Sequence, residues 1–334
     1  MIKLALVFAS ALALSAAPAA AQSAPSTPPA AKPAAKGTRL ILLGTSAGPI
    51  ASATRGQPAL LLVVDGRPYL IDAGEGTLTQ LKKAGFDAFQ VRNVFLTHLH
   101  VDHAAGLAPI LAFNWVSGRR QPVEVIGPQG TSAFVAKALD YLSIPERIQG
   151  MVLPPHPSMV SMVSARDLDV TSEKLVFEDD KVRVTAVENS HYSTVSMGMQ
   201  PYGIDRSLSY RFMTADRTIV FTGDTGPSAA VEKLARGADI LVSEVLNIGA
   251  TARLLKTQFP VTDEQLAPLL KHMTDEHLLP EEVGKLAARA DVGMVVLSHI
   301  APATDEPINP LDYTAGIRKH YNRPVVYGKD FLEF

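Results

Sequence analysis

The chain has 334 residues, 47% of them hydrophobic and 19% charged, so it can bury a large core and is not disordered as a whole. It contains nine histidines and no cysteine, which excludes disulfides, thiolate zinc sites, iron–sulfur clusters and cysteine nucleophiles. The formal net charge is −2, but the three lysines before residue 37 have no acidic neighbours, so the remainder is more acidic. That charge argues against nucleic acid or an anionic membrane as a general partner.

The first residues are typical of a targeting segment followed by a linker. One lysine precedes an apolar run that is too short to span a membrane and that ends in three alanines at 19–21. We therefore expect a signal peptide at residues 1–21, an Ala/Pro-rich linker at 22–37 and a folded domain at 38–334. These segments predict a soluble protein that is secreted to the periplasm.

From residue 39 onward, apolar strands alternate with helical patterns, which predicts a layered α/β domain. The predicted strands are 39–43, 59–64, 68–71, 91–96, 123–126, 181–187, 208–212, 218–221, 240–242 and 292–298. The predicted helices are 75–84, 104–115, a segment after Pro128, 231–235, 262–272 and 280–290. Residues 151–172, with adjacent prolines and alternating methionine and serine, predict a loop or lid.

The most informative segment directly follows the strand predicted at 91–96. There His98, His100, Asp102 and His103 place four candidate metal ligands within six residues. Buried ionisable groups are costly unless they are paired or bound to metal, and imidazole with carboxylate suits zinc when sulfur is absent. We expect the first two histidines to point the same way in an extended segment, and a turn into a helix to direct the other two residues to a neighbouring position.

Three further candidates each follow a predicted strand. His191 comes after the strand at 181–187, Asp224 lies between glycines after 218–221, and His299 closes 292–298. Each residue alone is a weak signal. Because ligands of layered α/β sheets gather at the carboxyl ends of strands, the three together indicate one site.

Through these seven residues the chain resembles the metallo-β-lactamase superfamily, and within it the ribonuclease Z/arylsulfatase-like branch. Residues 43–48 and 72–77 match the branch's opening motifs, and His277 lies 22 residues before His299, the spacing of the branch's catalytic histidine. The resemblance implies a four-layer αββα sandwich with two zinc ions between the sheets. It implies the following ligands: His98, His100 and His191 on one zinc, Asp102, His103 and His299 on the other, and Asp224 as the bridge.

The same resemblance implies roles in catalysis. We expect Asp102 to orient the nucleophile as well as to bind metal, and His277 to be the general acid, with His272 as the competing choice. Asp72 and Glu75 either orient metal-bound histidines or cap the helix predicted after them.

These features predict a secreted hydrolase with two zinc ions that cleaves small phosphodiesters or sulfate esters with a metal-bridging hydroxide. The alternatives are β-lactam or lactone hydrolysis at the same site, a ribonuclease Z-like RNA endonuclease, and a non-catalytic zinc-binding scaffold. Many tRNA-processing members carry an arm between the equivalents of His191 and Asp224, and the 32 intervening residues here leave no room for it. We therefore expect a small-molecule substrate, with no nucleic acid and no membrane as partner, and the resemblance allows a homodimer.

Overall fold

The structure, a computed structural model, describes residues 36–118, 121–306 and 308–334. The predicted signal peptide at 1–21 and most of the predicted linker at 22–37 lie outside these residues. Both assignments, and the periplasmic location that depends on them, therefore stay predictions.

Six strands form a first sheet, in which they are ordered as in the chain. They are β1 (Thr38–Gly44), β2 (Ala59–Val64), β3 (Arg67–Ile71), β4 (Asn93–Phe95), β5 (Val123–Pro128) and β6 (Val163–Leu168). The first three strands pair antiparallel, and β3 to β6 pair parallel. Asp65 and Gly66 both have positive φ, so they form the tight turn between β2 and β3 that their sequence predicts.

A second sheet contains seven of the later strands. Its members are β7 (Lys174–Glu178), β8 (Arg183–Glu188), β11 (Leu208–Met213), β12 (Thr218–Phe221), β13 (Ile240–Leu246), β14 (Met294–Ala301) and β15 (Val325–Tyr327). A short separate pair consists of β9 (Met199–Gln200) and β10 (Gly203–Ile204). In the large sheet the order is β15-β14-β13-β12-β11-β8-β7, with parallel pairing from β15 to β12 and antiparallel pairing beyond.

Helices cover the outer faces of both sheets. They are α1 (Thr77–Lys83), α2 (Val101–Ala104), α3 (Leu107–Val116), α4 (Thr131–Gly150), α5 (Ala229–Ala235), α6 (Ile248–Gln258), α7 (Asp263–Glu276), α8 (Pro280–Arg289) and α9 (Leu311–Arg318). Apolar side chains of α1, α3 and α4 pack on the first sheet, and those of α5, α8 and α9 pack on the second. This arrangement is the αββα sandwich that the sequence predicts. None of the described helices is both long and apolar enough to cross a membrane.

The inner faces of the two sheets meet in one apolar core. Phe95 of β4 is fully buried there, with its ring centroid 5.0 Å from that of Phe212 and 5.8 Å from that of Tyr210, both on β11. The backbone N–H of Leu208 donates to the carbonyl oxygen of Thr97 at 2.9 Å. These contacts hold the segment that follows β4 against the second sheet, where β8 and β12 end beside it.

The prediction of a loop or lid over residues 151–172 is wrong in part. A 3-10 turn at Met159–Met162 leads into β6, which pairs with β5 at the edge of the first sheet. An edge strand with mostly polar, partly exposed side chains lacks the apolar alternation that marks a strand in sequence. The strands β7 and β15 and the helices α6 and α9 are also absent from the predicted elements.

Phe95→Ala tests the role of the core between the sheets. We expect it to lower the free energy of unfolding by about 3–5 kcal/mol, because it removes a fully buried ring that contacts both sheets. Urea unfolding followed by circular dichroism measures the change. Phe113→Ala, at a ring that is 55% exposed on α3, is the matched control and should cost less than about 1 kcal/mol. Equal losses in the two variants would contradict this account.

Candidate metal centre

The seven predicted ligands converge at one edge of the sandwich, where strands of both sheets end. Their positions are as follows: His98 and His100 after β4, Asp102 and His103 in α2, His191 after β8, Asp224 after β12, and His299 near the end of β14. All of them except His100 are buried. The fold thus brings together side chains that lie as far apart in sequence as residues 98 and 299.

Three imidazole nitrogens form the first half of this cluster. His100 Nδ1 lies 3.1 Å from His98 Nε2 and 3.2 Å from His191 Nε2. Burial lowers the pKa of all three rings, and that of His191 falls to about 3. The rings are therefore neutral at physiological pH, which is the form in which imidazole binds a metal ion.

The orientation of two of these rings is set by hydrogen bonds on their far sides. His98 Nδ1 lies 3.0 Å from the hydroxyl oxygen of Thr97, which in turn donates to the carboxylate of Asp72. His191 Nδ1 lies 3.2 Å from the carbonyl oxygen of Glu276 and donates to it. Because Nδ1 carries the proton in both rings, each Nε2 presents its lone pair to the centre of the cluster.

The second half of the cluster combines two imidazoles with two carboxylates. Asp102 Oδ2 lies 3.4 Å from both His103 Nε2 and His299 Nε2, and Asp224 Oδ2 lies 3.1 Å from His299 Nε2. Burial lowers the pKa of His103, but the charges of Asp224 and Asp72 outweigh it and raise that pKa well above its usual value. The pKa of His299 is also raised, since Asp224 and Asp102 outweigh the effect of burial. These two rings are therefore protonated, and the carboxylates around them favour positive charge at this position.

Asp224 faces both halves of the cluster. Its Oδ2 lies 3.8 Å from His98 Nε2 and 3.9 Å from His191 Nε2, and its Oδ1 lies 3.4 Å from His103 Nε2. This is the position that a bridging carboxylate needs. The residue before it, Gly223, has φ +58°, a conformation that glycine adopts without strain.

Close backbone packing holds the other carboxylate of the cluster in place. A Cβ atom on Gly48 would lie 2.1 Å from Asp102 Cγ, and one on Gly74 would lie 2.2 Å from the Asp102 carbonyl oxygen. No side chain fits at either position, so these two glycines allow the backbone to pack directly against Asp102.

The donor set fits a metal site. Among the described residues, three buried atoms that face this centre have no hydrogen-bond partner, namely His103 Nε2, His299 Nε2 and Asp224 Oδ1. Buried polar atoms are costly when unpartnered, and several groups of three histidine or acidic side chains here have ligand atoms within 4.8 Å of one another. Imidazole and carboxylate without sulfur are ligands of zinc and similar divalent ions.

Glu244 is a site residue that the sequence analysis missed. Its carboxylate is buried, with Oε2 2.7 Å from His277 Nδ1 and Oε1 accepting from the backbone N–H of Thr225 at 2.5 Å. Burial lowers the pKa of His277, but the charge and hydrogen bond of Glu244 outweigh it and raise that pKa to about 9. The signal was available: an acidic residue within the apolar run 240–246 needs a buried partner.

The structure separates the residues whose roles the sequence left open. Asp72 accepts from His103 Nδ1 at 2.9 Å and from the backbone N–H of Thr97 at 2.8 Å, so it orients a ring of the cluster. Glu75 is exposed and lines a different cavity, away from the cluster. His272 contacts the Thr194 hydroxyl at 2.9 Å and does not line the cluster, whereas the ring of His277 lies 4.9 Å from that of His191.

The beta-lactamase superfamily domain model matches residues 67–300, which is most of the chain. The chain belongs to this superfamily. A protein named ribonuclease Z from Mycobacterium sp. (strain KMS) is 29% identical over 296 residues, covering 86% of this chain and 93% of the relative. The chain is therefore a hydrolase of this superfamily and belongs to its ribonuclease Z-like branch.

Solved structures agree on the fold. The human tRNase Z, short form, superposes with a TM-score of 0.60 at 22% identity, covering 89% of this chain and 98% of that one. The metallo-beta-lactamase fold protein YhfI from Bacillus subtilis superposes with a TM-score of 0.62 at 16% identity and with the same coverage. At these identities the likeness establishes the αββα architecture alone.

The relatives overturn two expectations from the sequence. The prediction of a hydrolase for small phosphodiesters or sulfate esters is wrong, as is the expectation of a small-molecule substrate and no nucleic acid, because the matching relatives are named ribonuclease Z. The argument from the missing arm, which supported both expectations, does not outweigh this similarity.

Asp72→Asn tests the orientation of the cluster. We expect metal affinity to fall about 10–100-fold, because the variant removes the charge that holds the Nδ1 proton of His103. Competition with a chromogenic chelator measures the affinity. Asp140→Asn, at an exposed position on α4, serves as the control and should bind metal as the wild type does. Wild-type affinity in Asp72→Asn would show that this carboxylate does not support the site.

Proposed function

We propose that the protein is an RNA endonuclease of the ribonuclease Z type, which hydrolyses a phosphodiester bond of a tRNA-like precursor with two zinc ions. The observation that carries the proposal is the metal-type cluster beside a histidine whose proton is held by a buried carboxylate. The same metal-binding donors would also suit the hydrolysis of acyl compounds and sulfate esters. However, the relatives that align with most of this chain are named ribonuclease Z. That name favours RNA over the other esters.

In this proposal the donors divide between two ions. His98, His100 and His191 would hold the first zinc, Asp102, His103 and His299 would hold the second, and Asp224 would contribute to both. When bound, two such ions supply Lewis acidity toward a phosphate oxygen and a water nucleophile at neutral pH. The raised pKa values of His103 and His299 mean that zinc binding there releases protons.

The protein's own groups manage the proton transfers. Burial raises the pKa of Asp102, but the nearby rings of His103 and His299 outweigh it and hold the pKa below its usual value. Asp102 therefore stays ionised and can accept a hydrogen bond from the attacking water. Hydrolysis breaks one P–O bond and leaves an oxygen that needs a proton.

His277 is the group that supplies this proton in our proposal. Glu244 holds Nδ1 at 2.7 Å, which leaves Nε2 to donate to the leaving oxygen. Because its pKa is raised to about 9, the ring is protonated at neutral pH and ready to act as an acid. Glu244 thus works through His277, and its own carboxylate does not touch the substrate.

Glu244→Gln should move the alkaline limb of the pH–rate profile. Activity that needs protonated His277 is present below the pKa of that ring and is lost as pH rises through about 9. Removing the carboxylate charge takes away the largest effect that raises this pKa, so burial outweighs the weaker charges of Asp224 and Glu276 and the limb should shift to lower pH by at least about one unit. The measurement is kcat as a function of pH, and exposed Glu281→Gln is the control. If the alkaline limb does not shift, Glu244 and His277 do not act together as the general acid.

Cleavage of a tRNA precursor is the direct test of the proposal. Zinc-loaded protein should release the 3′ trailer of a precursor transcript, a chelator should abolish the reaction, and zinc should restore it. Asp102→Ala should lower kcat by about 10³-fold or more, because it removes a ligand and an acceptor together. Mature tRNA of the same sequence is the matched substrate control. If zinc-loaded protein cuts bis-p-nitrophenyl phosphate but no RNA, the proposed function fails.

A further inference from the structure

A separate cavity lies directly beside the metal cluster. It has a volume of about 440 Å³, and its lining includes Ser190, Tyr192, Met197 and Asp205. This volume falls within the range of small-molecule and cofactor pockets, about 300–1,000 Å³. Nothing in the assignment of the seven ligands or of His277 uses it.

One aromatic side chain contacts both this cavity and the cluster. The ring centroid of Tyr192 lies 5.4 Å from that of His100 and 5.0 Å from that of His191. The same residue lines the cavity. A group that enters the cavity therefore sits next to whatever phosphate occupies the metal cluster.

The lining excludes a second phosphate as the occupant. Among the described residues that line it, none is a lysine or an arginine, and two are the carboxylates of Glu188 and Asp205. The neighbouring cation, Arg206, is held by Glu188 at 2.7 Å and lies 3.6 Å from Asp169. Such a wall repels anions and suits a flat, uncharged group that carries hydrogen-bond donors.

The aromatic and apolar parts of the wall point to the same class of ligand. Tyr192 is accompanied by Val195, Met197 and Ile204, so one side of the cavity is apolar. Single-stranded RNA is read mainly by stacking unpaired bases on aromatic side chains and by hydrogen bonds to the base edges. The wall is anchored, since the backbone N–H of Ile204 donates to Gln129 Oε1 at 2.8 Å.

We propose that this cavity receives the base of a nucleotide flanking the scissile phosphate, with the base stacked on Tyr192 and an exocyclic amino group facing Asp205. The inference rests on the proposed RNA cleavage and names a specificity pocket for it. Asp205 is the carboxylate assigned here because Glu188 is already engaged by Arg206, whereas Asp205 Oδ1 accepts only from the Tyr202 hydroxyl, at 3.1 Å, among the described donors. Adenine, guanine and cytosine carry an exocyclic amino group and uracil does not, so uracil should be disfavoured.

The test uses zinc-loaded protein and precursor transcripts that carry adenine, uracil or an abasic nucleotide on either side of the cleavage site. At one of the two positions, the abasic transcript should lose about tenfold in kcat/KM against adenine, and uracil should lose about tenfold as well. Tyr192→Ala should bring the adenine-to-abasic ratio close to one, whereas Tyr192→Phe should keep it. Asp205→Asn should bring the adenine-to-uracil ratio close to one.

Two controls make the result specific. Tyr141→Ala, at a tyrosine that is 75% exposed on α4, should keep both wild-type ratios. Metal content is measured for each variant, because Tyr192 contacts rings of the cluster; if Tyr192→Ala loses zinc, Tyr192→Leu and Asp205→Asn carry the test. Wild-type protein that cuts all transcripts equally at both positions overturns the pocket alone. Wild-type protein that cuts no RNA overturns the proposed function and the pocket together.

Discussion

The burial of ionisable side chains at the edge where the two sheets meet is the constraint on which the rest of the site depends. Four of the cluster's histidines (His98, His103, His191 and His299) and its two aspartates are almost fully removed from water. Each such group would destabilise the fold if its polar atoms lacked partners. The fold meets this demand on the outward side of the rings through Asp72, Thr97 and the carbonyl of Glu276, and leaves the inward nitrogens directed at a shared centre.

The two halves of the cluster meet the same constraint in different ways. The triad of His98, His100 and His191 is kept neutral by burial, so it offers lone pairs without having to lose protons. His103 and His299 lie among carboxylates and hold protons. A metal cation that binds there therefore replaces the positive charge of these protons. The same edge of the sandwich therefore provides donors that are already neutral and donors that must lose protons before they bind a metal ion.

The net charge of the chain led to the wrong expectation that the substrate is not a nucleic acid, and the reason is physical. A sum over the chain describes long-range attraction, which salt screens within about 10 Å, and it does not describe what a buried site binds. A phosphodiester in the cluster would meet metal ions and the protonated His277, which are local positive charges in an acidic molecule. The acidic lining around Asp205 is unsuitable for a second phosphate but suitable for a base, so negative charge near the site does not exclude RNA.

Residue types and their spacing predicted much of the site. The run from His98 to His103, the isolated His191, Asp224 and His299, and the spacing of His277 predicted the side chains that the fold brings together, because ligand chemistry restricts which residues can serve. The strands of the fold were predictable where apolar residues are continuous, as in β1 and β14, and not at the polar edge in β6.

Other properties depend on contacts between residues far apart in sequence, and only the tertiary structure decided them. The pairing of Glu244 with His277 joins residues 33 positions apart, and the choice between Asp72 and Glu75 depended on which carboxylate reaches His103. The cavity beside Tyr192 is lined by residues of the segment 188–207 together with Thr171 and Ser228, which lie apart from that segment in sequence. The sequence by itself determined which atoms could bind a metal. The packing of the two sheets decided which of those atoms are neutral, which carry protons, and what lies beside them, since these properties arise from burial and from neighbours that the order of residues does not show.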